Sequence, residues 1–293
     1  MKQNGTLTAA FGRHYEVTLA DGRVVNGIPR GKKSLYACGD QVALGPLHDS
    51  EAQILAHAPR TSLLYRSDQW KEKIIAANAT QVVLVVATEP AFSTELISRA
   101  LVAAVHEKLR PLIVLNKSDL VDQLGMARAL LAPYVALGIP VVELSALTDA
   151  SPLGPRLAGQ TSVLVGQSGM GKSTLVNALI PGAGAATREI STALDTGKHT
   201  TTHARMYPLE DGGSLIDSPG LQEFGLAHLT RGEIELGFVE FVPHLGHCRF
   251  RDCKHGNEPD CAIKAAIARG EIDSRRLAHF VTIASEGDRA KSF

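Results

Sequence analysis

A phosphate-binding pattern occupies residues 166–173, where two glycines flank four residues and lysine and serine follow directly. Its members, with the next residue included, are Gly166, Gln167, Ser168, Gly169, Met170, Gly171, Lys172, Ser173 and Thr174. Glycines let the backbone form a nest of N–H donors at a helix N-terminus, where oxyanions are stabilised. We expect Lys172 to contact the β- and γ-phosphates of a nucleoside triphosphate and Ser173 to coordinate Mg²⁺. The pattern predicts triphosphate binding but does not identify the base.

A second candidate site, which would read the base, follows a predicted strand over residues 111–115. It consists of Asn116, Lys117, Ser118 and Asp119, and such strand ends are where open α/β sheets bind ligands. A carboxylate at Asp119 can accept both the N1–H and the exocyclic amino N–H of guanine, a donor pair that adenine lacks. Ser145 and Ala146 follow another predicted strand and are expected to offer a backbone N–H to guanine O6. The alternative interpretation of residues 116–119 is an ordinary solvated loop.

Residues 197–203 show little periodicity and are candidates for a mobile loop that senses the γ-phosphate. We expect Thr201, in preference to Thr200, to reach both the γ-phosphate and Mg²⁺. Together with Ser173 and Asp217, this threonine would form the Mg²⁺ shell. The alternative is that the consecutive threonines form an edge strand.

A further segment, after the next predicted strand, begins with Asp217 and includes Gly220, whose N–H is expected to sense the γ-phosphate. Many GTPases place a water-orienting glutamine directly after this glycine, but here the position is Leu221. Gln222 is adjacent and would point elsewhere in a regular backbone. The sequence therefore predicts slow intrinsic hydrolysis, with the attacking water oriented by His199 or by a group from a partner. The alternative for His199 is a structural loop residue.

A cluster of thiols and an imidazole lies near the C-terminus, within fourteen residues: Cys248, Cys253, His255 and Cys261. Three clustered thiols cannot all pair with one another, and four sulfur or nitrogen ligands with no open position describe a structural Zn²⁺ site. His244 and His247 are possible rival ligands. We predict one structural zinc ion.

The strands and helices that must position these motifs fall into three regions with different residue patterns. Residues 1–65 contain short alternating segments divided by glycines, which favours an OB-fold barrel, with an SH3-like barrel as the alternative. In residues 66–225, apolar strands alternate with helical stretches, which predicts a parallel sheet covered on both faces. Residues 226–293 are predicted to form a small, mostly helical domain that needs a metal because its core is small. We expect residues 151–155 to be a linker between two halves of the sheet.

Chain order is unusual, because the base-reading motif precedes the phosphate loop, whereas ordinary GTPases have the reverse order. The sheet can still close around one site, since its strands need the same spatial neighbours whatever their order. We therefore predict a circularly permuted P-loop GTPase domain. A mechanical consequence is that the segment from Asp217 leads directly into the C-terminal domain.

Composition excludes several classes of protein. The chain has 293 residues, 44% of them hydrophobic and 20% charged, which is typical of a folded globular protein. We find no secretory signal and no apolar run long enough to cross a bilayer, so we expect a cytoplasmic protein that does not bind a membrane. The formal net charge of zero provides no global attraction to nucleic acid.

Taken together, these motifs resemble the circularly permuted GTPases of small ribosomal subunit biogenesis, the RsgA family. The resemblance covers nearly the whole chain and rests on residues 116–119, 166–173, 197–202 and 217–225 and on the Cys/His cluster. It implies an OB-fold that binds RNA, a permuted GTPase domain and a zinc domain. It also implies action on a late 30S particle, with its 16S rRNA, that stimulates hydrolysis of GTP to GDP. We expect a monomer.

Two functions of other kinds compete with this interpretation. The first is a GTP-gated placeholder that binds its partner and barely hydrolyses GTP. The second is a permuted ATPase acting on membranes or proteins, which guanine selection by Asp119 would exclude.

Overall fold

The computed structural model describes residues 3–11, 14–31, 36–66, 73–184, 204–218 and 225–290. The first strands form a barrel: β1 (Gln3–Phe11), β2 (His14–Leu19), β3 (Val24–Pro29), β4 (Gln41–Leu44) and β5 (Glu51–His57). Their order is β1-β2-β3-β5-β4, and β4 pairs back to β1 to close the barrel. The pairing of β3 with β5 is parallel, whereas the other barrel pairings are antiparallel. This Greek-key closure confirms the OB-fold over the SH3-like alternative.

A hairpin of β6 (Leu63–Arg66) and β7 (Lys73–Ala77) connects the barrel to the rest of the chain. A backbone hydrogen bond joins the hairpin to the barrel: the Ala77 N–H donates to Cys38 O at 2.8 Å. Gly39 makes this approach possible: its φ is +92°, and a Cβ there would lie 2.1 Å from Ala77 O.

The central sheet contains β8 (Gln81–Ala87), β9 (Arg110–Asn116), β10 (Val141–Glu143), β11 (Thr161–Val165), β12 (Ala204–Pro208) and β13 (Ser214–Asp217). Their order is β10-β9-β8-β11-β13-β12, and every pairing is parallel except that of β12 with β13. All residues of β8 are buried, as expected for a strand covered on both faces. The permuted order of motifs is therefore compatible with one continuous α/β sheet.

The helices of this unit are α1 (Thr94–His106), α2 (Val121–Ala136), α3 (Gly154–Leu157) and α4 (Lys172–Leu179), with a 3₁₀ turn at Ser151–Leu153 before α3. Residues 151–155 connect β10 in one half of the sheet to β11 in the other, as predicted for a linker, and they do so as part of these two short helical segments. Pro152 and Pro155 each lie in a first turn, where a missing N–H costs no helical hydrogen bond.

Barrel and central sheet are joined where β12 pairs antiparallel with β1, at Ala9 with Arg205 and Ala10 with Ala204. Within the described part of the chain, this pairing makes one sheet of eleven strands. Side chains reinforce the junction: Arg205 lies 3.2 Å from Glu16, and Cys38 Sγ donates to Ala204 O at 3.1 Å.

Helices dominate the C-terminal unit: α5 (Arg231–Leu236), a 3₁₀ turn (Val242–His244), α6 (Ala262–Ala268) and α7 (Ser274–Ala290). Its core is a cluster of phenylalanine rings, Phe238, Phe241 and Phe280, with centroids 5.1–5.6 Å apart. The unit packs against α1, and Gly237 lies so close that a Cβ there would be 2.8 Å from Val102 Cα. Among the helices described, none has both the length and the apolar character needed to span a membrane.

Candidate nucleotide and metal sites

The phosphate-binding pattern folds into the loop between β11 and α4, as its residue types require. β11 ends at Val165, and α4 begins at Lys172 with Gly171 as its N-cap residue at φ +85°. A Cβ on Gly171 would lie 2.3 Å from Asn116 Nδ2, so glycine is needed here for both conformation and space. Ser173 and Thr174 lie in the first turn of α4, beside the N–H groups that favour an anion.

Asn116 joins the base-reading motif to the phosphate loop. Its Nδ2 donates to Met170 O at 2.9 Å, and its Oδ1 accepts the Ala146 N–H at 2.9 Å. The side chain is 2% exposed, so both bonds are sheltered from water. Three motifs that are far apart in sequence therefore meet at one edge of the sheet, beyond the carboxyl ends of β9, β10 and β11.

The remaining residues of the base-reading motif lie at the surface of the same sheet edge. Lys117 has a left-handed φ of 60°, and its carbonyl accepts the hydroxyl of Thr88 at 3.0 Å. The Ser118 N–H donates to Leu144 O at 3.1 Å, and Asp119 is exposed. Asp119 lies beyond the end of β9, so its carboxylate is open to solvent at the rim of the sheet.

Ser145 and Ala146 begin a tight turn after β10. The Ser145 hydroxyl oxygen is buried, with no hydrogen-bond partner in the described structure, which leaves a polar atom available for a ligand. The Ala146 N–H is already donated to Asn116 Oδ1, so binding guanine O6 would require it to share or exchange that bond.

Lys172, at the start of α4, and Asp217, at the end of β13, interact electrostatically. Lys172 is half-buried and Asp217 is buried. Lys172 Nζ donates to Gly166 O and, at 2.9 Å, to Gln167 O. Burial lowers the pKa of Lys172 and raises the pKa of Asp217, while their mutual attraction opposes both shifts. Phosphate oxygens beside the lysine and a divalent cation beside the aspartate would each favour the charged form. The Ser173 hydroxyl and the Asp217 carboxylate are oxygen ligands of the kind that Mg²⁺ prefers.

A cleft of about 530 Å³ lies near the base-reading edge, between residues 146–151, α3, the end of α4 and the turn at residues 209–212. None of the residues that line it belongs to the phosphate loop, so this cleft and the predicted phosphate site are different places.

The Cys/His cluster converges at one point of the C-terminal unit. The ligand atoms of Cys248, Cys253, His255 and Cys261 all lie within 4.8 Å of one another. His255 Nδ1 is 3.2 Å from Cys261 Sγ and 3.6 Å from each of the other two sulfurs, and Cys248 Sγ is 4.0 Å from Cys261 Sγ. Sulfurs bound tetrahedrally to Zn²⁺ at about 2.3 Å would be about 3.8 Å apart, so the donor set fits that ion.

The rival ligands lie outside this group. His244 Nε2 faces Glu271 at 3.5 Å, and neither His244 nor His247 is part of the cluster.

A family model described as RsgA GTPase matches residues 57–227, which is more than half of the chain. The chain belongs to the RsgA GTPase family. It is 53% identical to the Small ribosomal subunit biogenesis GTPase RsgA of Burkholderia pseudomallei (strain K96243), across 98% of this chain and 93% of the relative. It is 52% identical to the protein of the same name from Bordetella pertussis (strain Tohama I), across 99% and 98%. This RsgA-family chain is thus a GTP-hydrolysing enzyme.

Solved structures of the same shape support the permuted fold. The structure of YjeQ from Thermotoga maritima is 30% identical and covers 98% of each chain, with a TM-score of 0.75. That of YloQ, described as a circularly permuted GTPase, is 26% identical with a TM-score of 0.71, covering 99% of this chain and 96% of its own. The predicted barrel, permuted GTPase unit and Cys/His-bearing unit are confirmed as the fold of this family member.

Several predicted residues lie outside the described parts of the chain. These are His199, Thr200, Thr201, Gly220, Leu221 and Gln222. Their roles in γ-phosphate sensing and water orientation therefore stay predictions.

Sequence reasoning assigned Gln167 to the phosphate loop but missed what its side chain does. Its Oε1 accepts the Ser93 N–H at 2.7 Å, at the start of α1. Gly169 faces the ring of Pro90 from the same segment, since a Cβ there would lie 3.3 Å from the proline Cδ. Ser93 is recognisable in the sequence as a helix cap, but its contact with a residue 74 positions away is not.

Proposed function

We propose that this RsgA-family enzyme binds the small (30S) ribosomal subunit and assists its late maturation, hydrolysing GTP to GDP and phosphate when the subunit stimulates it. The curated relatives carry this role in their names. The observation that supports the nucleotide part is the pair of hydrogen bonds made by Asn116, which holds the base-reading and phosphate loops side by side. We propose that one guanine nucleotide spans these loops.

Each end of that nucleotide has its own recognition chemistry. Asp119 accepts the two N–H groups of guanine, with Ser145 and Ala146 near O6. Lys172 exchanges its bonds to the Gly166 and Gln167 carbonyls for bonds to phosphate oxygens. Ser173, Thr201 and Asp217 are the residues that would hold Mg²⁺, which when bound neutralises charge that develops on the β- and γ-oxygens.

Hydrolysis requires a water molecule oriented in line with the γ-phosphate. Leucine at position 221 can neither accept nor donate a proton. We therefore propose that His199, or a group from the ribosomal subunit, orients the water, while the Gly220 N–H contacts the γ-phosphate. Dependence on a partner would couple hydrolysis to arrival at the correct particle.

Contact with 16S rRNA is assigned to both ends of the chain. The proposed domains are 1–65 for RNA binding, 66–225 for GTP hydrolysis and 226–293 for zinc. The first boundary falls within β6, so the β6–β7 hairpin is the connection between two domains. Cys248, Cys253, His255 and Cys261 would hold one structural Zn²⁺, which stabilises a unit with a small core. We propose a cytoplasmic monomer.

GTP turnover with 30S subunits, 50S subunits, free rRNA and no addition tests the proposal. We expect the 30S subunit to raise the rate by at least about 100-fold, as partner-supplied groups do for other GTPases. Stimulation by 50S alone, or by none of the three, would contradict the proposed partner. With 30S present, a His199→Ala variant should lose the stimulated rate and keep GTP affinity; an unchanged rate would reject that residue's role.

A further inference from the structure

The ring of His255 is held between the three thiols and a carboxylate on another element. Its Nδ1 faces the sulfurs at 3.2–3.6 Å, and its Nε2 lies 2.6 Å from Glu235 Oε1. Glu235 belongs to α5 and precedes His255 by 20 positions. We infer that Glu235 is a positioning residue for the metal site, which fixes the orientation and tautomer in which His255 binds the ion. The inference rests on the proposed zinc site.

Hydrogen-bond chemistry selects one tautomer. An ionised carboxylate only accepts, and a neutral imidazole carries one N–H, so the contact of 2.6 Å requires that hydrogen on Nε2. Nδ1 then presents its lone pair to the space between the three sulfurs. A second-sphere carboxylate of this kind also raises the basicity of the imidazole and hence its strength as a ligand.

Packing supports the same orientation. His255 is 4% exposed, and the rings of Phe241 and Phe280 lie at centroid distances of 6.4 and 5.8 Å from it. The Glu235 side chain is 22% exposed, so its other lone pairs can still reach water. Turning the ring over would take its Nε2–H away from the Glu235 carboxylate, and the apolar phenylalanine rings offer no replacement acceptor.

The helix that carries Glu235 is held in place by its N-terminal cap and by one buried side chain. Thr230 and Glu233 form a reciprocal capping box at its start, and Ile234 is buried against the core. Arg231 of the same helix donates to Lys254 O, directly before His255, at 3.4 Å. α5 thus contacts the ligand loop at two points, and the geometry of the metal site depends on a helix that contributes no ligand.

Zinc affinity of the full-length chain tests the inference, by competition with a chromophoric chelator for one bound ion. We expect Glu235→Ala to weaken zinc binding by about 10- to 100-fold, as loss of second-sphere partners does elsewhere. Glu235→Gln keeps a neutral acceptor and should weaken binding less. Glu271→Ala removes an exposed carboxylate of the same unit and should leave affinity unchanged. An affinity in both Glu235 variants equal to that of the parent would overturn the inference.

A second readout separates positioning from general stabilisation. Long-range ¹H–¹⁵N correlation spectra of histidine-labelled, zinc-loaded protein should show hydrogen on Nε2 of His255, and Glu235→Ala should alter that signal. Hydrogen on Nδ1 in the parent protein would overturn the assignment. If the parent bound no zinc, or Cys261→Ser bound it as tightly, the proposed zinc site itself would fail, and this result is distinct from an unchanged Glu235 variant.

Discussion

Arg276, on the C-terminal helix α7, donates a hydrogen bond of 2.6 Å to the hydroxyl of Ser98 on α1. The same guanidinium forms a two-point ion pair with Glu240 and lies 4.4 Å from the centroid of the Phe238 ring. Arg276 is 2% exposed. One buried side chain therefore holds the Cys/His-bearing unit against the first helix of the GTPase unit.

Replacing Arg276 with Met should lower the free energy of unfolding by about 3–5 kcal/mol, because Glu240 would remain buried without its partner. Urea denaturation would measure this change. The double variant Arg276→Met/Glu240→Leu should recover part of the loss, since no uncompensated charge is left. Arg128→Met is the control: its pair with Glu143 is exposed, so the cost should stay below about 1 kcal/mol. Equal losses in the two single variants would contradict the assigned role of burial.

Acid should weaken the same interface through His279, whose Nδ1 lies 2.8 Å from Ser98 Oγ. Burial and the neighbouring Arg276 lower the pKa of His279 below its ordinary value of about 6.5. Arg275 acts in the same direction, and Glu95 and Asp273 oppose them. The folded state therefore binds fewer protons than the unfolded state below about pH 6.5, so stability falls as the pH falls towards the lowered pKa.

The comparison with His279→Gln isolates this effect from other titrating groups. Between about pH 7.5 and pH 5.5, the parent protein should lose more unfolding free energy than the variant, which has no ring to protonate. Identical losses would show that His279 does not contribute to the pH dependence.

Gly171→Ala should disrupt the nucleotide site. The added Cβ would lie 2.3 Å from Asn116 Nδ2, at a φ of +85° that costs about 1–2 kcal/mol for a residue with a side chain. We expect GDP affinity, measured by calorimetry, to fall by at least about 10-fold. Gly125→Ala, in open space on α2, is the matched control and should leave that affinity intact. Full GDP binding by Gly171→Ala would show that the loop contact is dispensable.

Asp119→Asn should exchange base preference, because an amide in place of the carboxylate can donate to the 2-oxygen of xanthine but cannot accept both guanine N–H groups. We expect GDP binding to weaken by about 10- to 100-fold and binding of xanthosine diphosphate (XDP) to improve. Competition of the four nucleotides GDP, ADP, XDP and IDP would measure the exchange. Retained guanine selectivity would contradict the assigned pairing.

Cys38 should be unreactive in the folded enzyme. Burial raises its pKa to about 12, so almost no thiolate is present near neutral pH. Thiol titration should find four reactive cysteines only after unfolding with a chelator present, and three in Cys38→Ala. Fast modification of Cys38 in the native protein would show that the barrel junction opens readily.

The sequence indicated the motifs well because each one is local. Two glycines before Lys172, or three cysteines around His255, carry their chemistry within a few residues of each other. Contacts such as those of Gln167 with Ser93 or Arg276 with Ser98 join distant positions, and no local pattern determines them.

Helix α7 is a different case, because the local sequence does carry a helical pattern. Leu277, Phe280, Ile283 and Ala284 recur at helical spacing, and the buried Phe280, Ile283 and Ala284 with the partly buried Leu277 form the face that meets the core. The order of the barrel strands, by contrast, depends on a parallel pairing of β3 with β5, although β4 lies between these two strands in the sequence. Alternation of residues predicts strands but not their neighbours.

The shared ladder of β1 and β12 limits how the barrel can move relative to the nucleotide. Strand side chains alternate between faces, so a slide of one residue would turn every inward side chain outward. A displacement that preserves the packing must therefore come in steps of two residues, about 7 Å each. The barrel therefore keeps one register against the GTPase unit, and a change of register requires the pairs at Ala9 and Ala10 to separate and form again.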